Sequence, residues 1–223
     1  YRSEVISGCM RAIGTEWAET GSSYSLPVGR NVAAMVIAAD MVGLPILEDT
    51  LFREWLSELM ITSFTSRTIT STHEDRPNNW GTVCGSSRIA VSLFLGDTDD
   101  VDAAAGVFKA FVGDPAYRDI SSNFAFGGAV DEPEYPHLSW QPGPIDDKTE
   151  LYGINPLGAV ITDSYGTEYS VDGVLPDDQR RSDVNDGDFT WPPPKENYVH
   201  GALEGLLLQA ILLDRYDSSL NVW

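Results

Sequence analysis

Basic side chains are scarce: 14 Lys and Arg stand against 34 Asp and Glu, a formal net charge of −20. A field of that sign repels phosphate, which excludes nucleic acid and anionic membrane as bulk partners. It suits solubility in salty water. If the ligand is instead a polyanion, the few arginines must be gathered in a cleft. Cysteine is nearly absent. Cys9 and Cys84 allow one disulfide or two free, buried thiols, and their spacing excludes a zinc site. The only histidines are His73, His137 and His200, so imidazole chemistry has three places to be. No apolar run reads as long enough to span a bilayer, and no signal-like segment, low-complexity tract or strict repeat is present. A start at Tyr1-Arg2-Ser3, without initiator Met, leads us to expect a processed or trimmed product.

What remains is an ordinary globular composition, 42% hydrophobic and 22% charged, enough for one domain with a real core. Helical periods are readable in five places. Asn31 to Val42 repeats Val32, Met35, Val36 and Ala39, and Gly43 and Pro45 stop it. Asp49 to Met60 carries Leu51, Trp55 and Leu59. Thr82 to Leu95 groups Ile89, Ala90, Leu93 and Phe94 before Gly96. Asp99 to Val112 groups Val101, Ala105, Phe108 and Val112, with Thr98 expected as N-cap and Gly113 as the stop. Glu196 to Asp214 is expected to bury Val199, Leu203, Leu206, Leu207 and Ala210.

Between Asp114 and Pro194 the character changes over roughly eighty residues rich in Gly, Pro, Asp and aromatics, which is long for a loop region without a function. It reads as ordered loops forming the cleft, with a short hairpin between Ala159 and Val174. A second loop is expected over Thr72-His73-Glu74-Asp75-Arg76-Pro77-Asn78-Asn79-Trp80-Gly81, where Pro77 and Gly81 punctuate a dense run of polar and aromatic groups. Helix pairs with long loops on one face suggest a mainly α architecture: an (α/α)n toroid, complete or incomplete, spanning residues 1–223 as a single domain.

Seven motifs occur in one order. They are Val28-Gly29-Arg30-Asn31, the run from Ser71 to Thr82, Leu95-Gly96-Asp97, Leu138-Ser139-Trp140-Gln141, Ile154-Asn155-Pro156, Asp172-Gly173-Val174-Leu175-Pro176-Asp177-Asp178-Gln179-Arg180-Arg181, and the run from Trp191 to Tyr198. Together they resemble the alginate-lyase-like polysaccharide lyases of the α/α-toroid superfamily, in the branch that includes alginate and glucuronan lyases. The resemblance runs from about Leu26 to the C-terminus. It implies a toroid fold, β-elimination next to a uronic acid, a secreted or periplasmic setting and an acidic polysaccharide or oligosaccharide as partner. Related lyases carry an Asn-His pair where this chain has Asn79-Trp80, so the base is not taken from that position here. Such lyases also have more helices than are readable in this chain. We therefore expect a fragment of a toroid, completed by a missing segment or by self-association.

The chemistry explains the residue types. A uronate lyase removes the proton at C5, so the neighbouring carboxylate must first be neutralised by hydrogen-bond donors. A base then takes the proton and an acid protonates the oxygen leaving C4. A tyrosine can be the acid, or both groups in a syn elimination, where cations stabilise its phenolate. Asn79, with Asn78, is the candidate neutraliser; an Asn at a helix entrance also caps it. Tyr198 is the candidate acid or base, or else a core tyrosine. His73 is the candidate base or carboxylate ligand, or else a structural histidine, with His137 as fallback base. Arg30, Arg76, Arg180 and Arg181 could grip carboxylates bidentately, although the last two could equally staple Asp177 and Asp178. Asn31 and Gln141 complete the polar set, and Trp80 and Trp140 are candidate sugar platforms.

Two other function classes fit the residues. A glycoside hydrolase needs opposed carboxylates, available in Glu74, Asp75, Asp177 and Asp178. A non-catalytic carbohydrate-binding fragment fits the short chain and the missing Asn-His pair. No cofactor is implied and no spacing argues for a metal. The acidic run Asp183 to Asp188 has the flavour of a calcium loop but lacks its twelfth-position Glu.

Overall fold

The chain folds around one buried helix. In the computed structural model, residues 1–15, 25–64, 66–114, 116–117, 140, 153–181, 189–192 and 197–223 are described. Their elements are α1 (Arg2–Ala12), α2 (Ser25–Val42), α3 (Ile46–Ile61), α4 (Ile69–Asp75), α5 (Asn79–Leu95) and α6 (Thr98–Phe111). A two-stranded antiparallel hairpin follows, β1 (Val160–Thr162) with β2 (Glu168–Ser170), and then α7 (Pro176–Arg180) and α8 (Asn197–Tyr216). The protein is mainly α.

Local signals account for the boundaries. Thr68 and Ser71 form a reciprocal capping box that starts α4, with Ser71 N–H donating to Thr68 Oγ1 at 3.0 Å and Thr68 N–H to Ser71 Oγ at 2.9 Å. Asn78 caps α5, its Oδ1 accepting from Trp80 N–H at 3.0 Å. Gly96 ends α5 in the left-handed region at φ 81°, where a glycine carries no Cβ penalty. Asp97, rather than the expected Thr98, caps α6 by accepting from Asp100 N–H at 3.2 Å, and Thr98 enters the first turn. The hairpin lies within the expected span, with Ile161 opposite Tyr169.

The run expected as a ten-residue loop is instead mostly helix: α4 continues to Asp75 and α5 resumes at Asn79. Its β-branched, polar composition hides a helix whose stability comes from burial of Ile69, Thr72 and His73 rather than from propensity. In α8 the buried stripe is Ala202, Leu206, Ala210 and Leu213, while Leu203 and Leu207 are exposed. In α3, Leu51 is exposed and Phe52 takes its place inside. In α6, Val101, Ala105 and Phe108 are buried as expected, but Val112 is exposed.

All of α5 from Asn79 to Ser92 is buried except Trp80. On one side it joins α1, α2 and α3 in a cluster that includes Cys9, Val36, Phe52, Leu56, Ile69 and Cys84. On the other it joins α6, Leu175 and α8 in a cluster that includes Ile89, Val101, Phe108, Ala202 and Leu213. Both cysteines are free and buried in the first cluster; burial pushes the Cys84 thiol up to about 12. A third, smaller cluster gathers Trp140, Ala159 and Val171 at the hairpin. By length and a mean hydropathy of 1.2, α2 is apolar enough to cross a membrane, contrary to the reading of the sequence. Here it lays Val32, Ala33, Val36 and Ala39 into the core.

The helices α2, α5 and α8 run parallel. At their starts, Ser87 Oγ donates to Gly29 O at 2.6 Å and accepts from Ala33 N–H at 3.0 Å, and Gln209 Nε2 donates to Thr82 O at 2.7 Å. A Cβ on Gly205 would lie 2.5 Å from the Thr82 carbonyl carbon, so α8 and α5 touch backbone to backbone there. At their far ends, Val36, Ala90, Leu93, Phe94 and Leu212 line a largely apolar cavity of about 540 Å³. The helices' N-termini therefore meet at one end of the bundle and the apolar cavity occupies the other.

Candidate active site

At the N-terminal end, three elements place polar groups around one point. Arg30 is exposed, a turn and a half into α2. Asn79 is the first residue of α5, fixed there by its N-cap. Gly201 lies in the second turn of α8 and has no side chain to obstruct them. The Cβ it lacks would sit 3.7 Å from Arg30 Nη2 and 3.8 Å from both Cβ and Nδ2 of Asn79. A guanidinium and a carboxamide thus converge on one small-residue notch. Tyr198, exposed, lies three residues before Gly201 on the same face of α8.

The segment around α7 forms the floor beneath this notch. Asn78 Nδ2 donates to Asp177 Oδ2 at 2.6 Å and Asn79 N–H to Asp178 Oδ1 at 3.1 Å, both across 99 residues of chain. Asp177 also receives Arg180 Nε at 2.6 Å and Arg181 Nη2 at 3.3 Å. Both Asp177 and Asp178 are wholly buried. Burial, then the charge of Asp177, push the Asp178 carboxyl up to about 8, against the backbone N–H of Asn79 and the two arginines. Arg181 keeps part of its side chain at the surface. Arg30 and Tyr198 are therefore exposed at this end and Arg181 partly so, while Asn79, Asp177 and Asp178 are buried beneath them.

His73 is elsewhere. It is 3% exposed, in α4, and packs against Gly85 and Gln209. Burial first, and then the charge of Arg88, push it down to about 3, and its Nδ1 has no hydrogen-bond partner among the described residues. It is a neutral core histidine with no route to a polymer, and so differs from the expected base. Between pH 6.5 and about 3 the unfolded chain binds a proton at this site that the native chain refuses, so stability falls on acidification. We expect His73→Gln to flatten that acid limb in urea melts recorded between pH 7 and pH 4, with little change at neutral pH.

Residues 7–114, just under half of the chain, match the family model for alginate lyase. No curated protein and no solved structure matches the chain. Over that segment the chain is similar to alginate lyases. The family is one of polysaccharide lyases, and this chain is an enzyme of that general kind.

Seven of the residues singled out in the sequence fall inside the alginate lyase segment: Arg30, Asn31, His73, Arg76, Asn78, Asn79 and Trp80. Arg30 and Asn79 meet at the notch. Asn78 spends its side chain on capping α5 and on Asp177. Asn31 is exposed but turned back on its own helix, Nδ2 donating to Pro27 O at 2.7 Å. Arg76 is half-buried at the end of α4 and Trp80 half-buried beside Asn79. Outside the segment, Arg180, Arg181 and Tyr198 come to the same end of the bundle. Trp140 does not serve as the expected platform: at 1% exposure its ring is stacked among Phe189 and Trp191, centroids 4.6 and 6.3 Å away. Gln141, His137 and the acidic run Asp183 to Asp188 lie outside the described residues. Among the described residues no three His, Cys, Asp or Glu are grouped to hold a metal.

Two contributors escaped the sequence reading. Gly201 had no signal beyond its place near Tyr198. Asp178 was noticed as a possible hydrolytic carboxylate or a partner of the arginines that follow it; its pairing with Asn79 is a contact between segments that no local pattern announces.

Proposed function

We propose that this lyase cleaves a uronic-acid polymer, alginate or glucuronan-like, by β-elimination at the N-terminal mouth of α2, α5 and α8. The observation that carries the reading is the convergence of Arg30 and Asn79 at Gly201. In this reading the uronate carboxylate sits against the Asn79 carboxamide and the Arg30 guanidinium, with Arg181 at the rim. Charge drawn from C5 then delocalises into a group already held by donors. Tyr198 takes the C5 proton, delivers a proton to the C4 oxygen, or does both, and Trp80 offers a sugar its exposed edge. The C5–H and C4–O bonds break and a C4–C5 double bond forms, with no water consumed.

The parallel trio α2, α5 and α8, flanked by α3, α4 and α6, supports an arc of an (α/α) toroid, and a polymer substrate supports a secreted or periplasmic setting. A hydrolase is less well supported. Glu74 is paired with Arg88, Asp75 with Arg67 and Asp177 with two arginines, and Asp178 is buried, so none of these four carboxylates is both exposed and unpaired.

Incubation with a panel of polyuronates, read by ultraviolet absorbance of the unsaturated product, tests the proposal. New reducing ends without that absorbance would establish hydrolysis instead, and saturable binding without any product would establish a binding module. Tyr198→Phe is expected to lower kcat by about 10²-fold or more through loss of the proton relay while leaving the melting temperature unchanged, because the ring is exposed.

A further inference from the structure

We propose that Asp178 is a positioning residue: seated beneath the first turn of α5, its carboxyl fixes the backbone of Asn79 and thereby aims the Asn79 carboxamide at the mouth. This deepens the lyase reading and rests on it for the meaning of that mouth.

Three observations carry it. First, Asn79 N–H is one of the orphan donors at a helix start, and its acceptor is Asp178 Oδ1 at 3.1 Å. Second, the Asn79 side chain is 1% exposed, and its Oδ1 has no hydrogen-bond partner among the described residues. Among the described residues no bond through that oxygen sets the carboxamide's direction, and the backbone N–H bond to Asp178 fixes the Cα from which it projects. Third, Asp178 is itself fully buried, beneath the first turn of α5, with its Oδ1 accepting from Asn79 N–H. Within α7, Asp177 pairs with Arg180 and with Arg181 just after it.

The protonation state fits the task. Burial and the charge of Asp177 raise the Asp178 carboxyl, while the Asn79 amide of α5 and the charges of Arg181 and Arg180 lower it. With its carboxyl pushed up to about 8, Asp178 keeps a proton at neutral pH and accepts from Asn79 without adding negative charge under the place where a uronate carboxylate would rest. Ionisation above that pH sets a like charge there.

Asp178→Asn and Asp178→Ala separate the possibilities, because Asn copies the protonated acid and keeps an acceptor while Ala removes it. We expect Asp178→Asn to retain kcat at pH 7 within about twofold and to lack the fall in activity that ionisation of Asp178 should cause in the wild type above about pH 8. Asp178→Ala should lose kcat by about 10²-fold, the scale of a misplaced catalytic group, with KM little changed. A readout independent of turnover is hydrogen exchange at the Asn79 amide by NMR, accelerated in Asp178→Ala and not in Asp178→Asn. Equal activity in all three proteins, or losses that merely follow melting temperature, would overturn the proposal. Should the wild type itself turn over no polyuronate, the lyase reading fails while exchange still decides this one: unchanged protection of Asn79 in Asp178→Ala sinks it. If Asp178→Ala does not fold, the pH profile of Asp178→Asn decides alone, and retention of the alkaline fall would refute the assignment.

Discussion

Replacing Asn79 by alanine is expected to lower kcat on the responsive polyuronate by about 10²–10³-fold, the usual cost of deleting one preorganised donor to a developing oxyanion. The change removes the carboxamide that faces Arg30 across the Gly201 notch but leaves the backbone N–H that Asp178 holds. It also deletes a buried oxygen with no hydrogen-bond partner among the described residues, so folding stability should be unchanged or slightly improved. Loss of activity with retained stability is the signature of a group kept for chemistry. Asn79→Asp is the sharper companion, since it would put a negative charge where a uronate carboxylate should sit, and activity should then recover only at acid pH. Initial rates across pH, beside thermal melts of the same preparations, check both outcomes. Wild-type kcat in Asn79→Ala would refute the assignment.

The second large effect is on the fold. Arg88, in the middle of α5, is 2% exposed. Its Nη1 reaches Glu74 Oε1 at 3.0 Å and its Nη2 reaches Asp100 Oδ1 at 2.6 Å, tying α4 and α6 to the central helix. Burial works against ionisation of Asp100, yet hydrogen bonds from Arg88 and Ser92 overcome it and hold its carboxyl below the usual carboxylate range. Removing one partner of such an arrangement strands the others, and the typical cost is about 3–5 kcal/mol. Because Glu74 and Asp100 keep part of their surface in water, Arg88→Ala is expected near the lower end, about 3 kcal/mol, by urea denaturation at neutral pH. The lowered carboxyl of Asp100 adds stability above the ordinary Asp value that is lost as pH falls through its native value. The variant should therefore lose its disadvantage progressively in acid. A midpoint equal to that of the wild type at pH 7 would show that the network contributes nothing net.

The legible parts of this protein are those where one local rule acts alone. The apolar periods of α2, α3, α5, α6 and α8 exposed those helices, and turn chemistry around Ser164-Tyr165-Gly166 exposed the hairpin. What escaped was decided across distance. The polar, β-branched string Ile69–Asp75 became α4 because Thr68 and Ser71 cap it and α5 covers it. His73 looked catalytic through its neighbours in sequence, yet its neighbours in space are Gly85 and Gln209. The candidate site was half legible. Residue types named Asn79, Arg30 and Tyr198, but only folding could show that Arg30 and Asn79 share a notch at Gly201, or that Trp140 is sealed among other rings.

One consequence concerns how the molecule melts. Because α5 supplies side chains to both large apolar clusters, neither cluster can loosen without stripping cover from the helix that anchors the other. Heating should therefore yield a single calorimetric transition for residues drawn from both ends of the chain. Amides of α5 should exchange only through global opening, slower than those of any helix at the periphery.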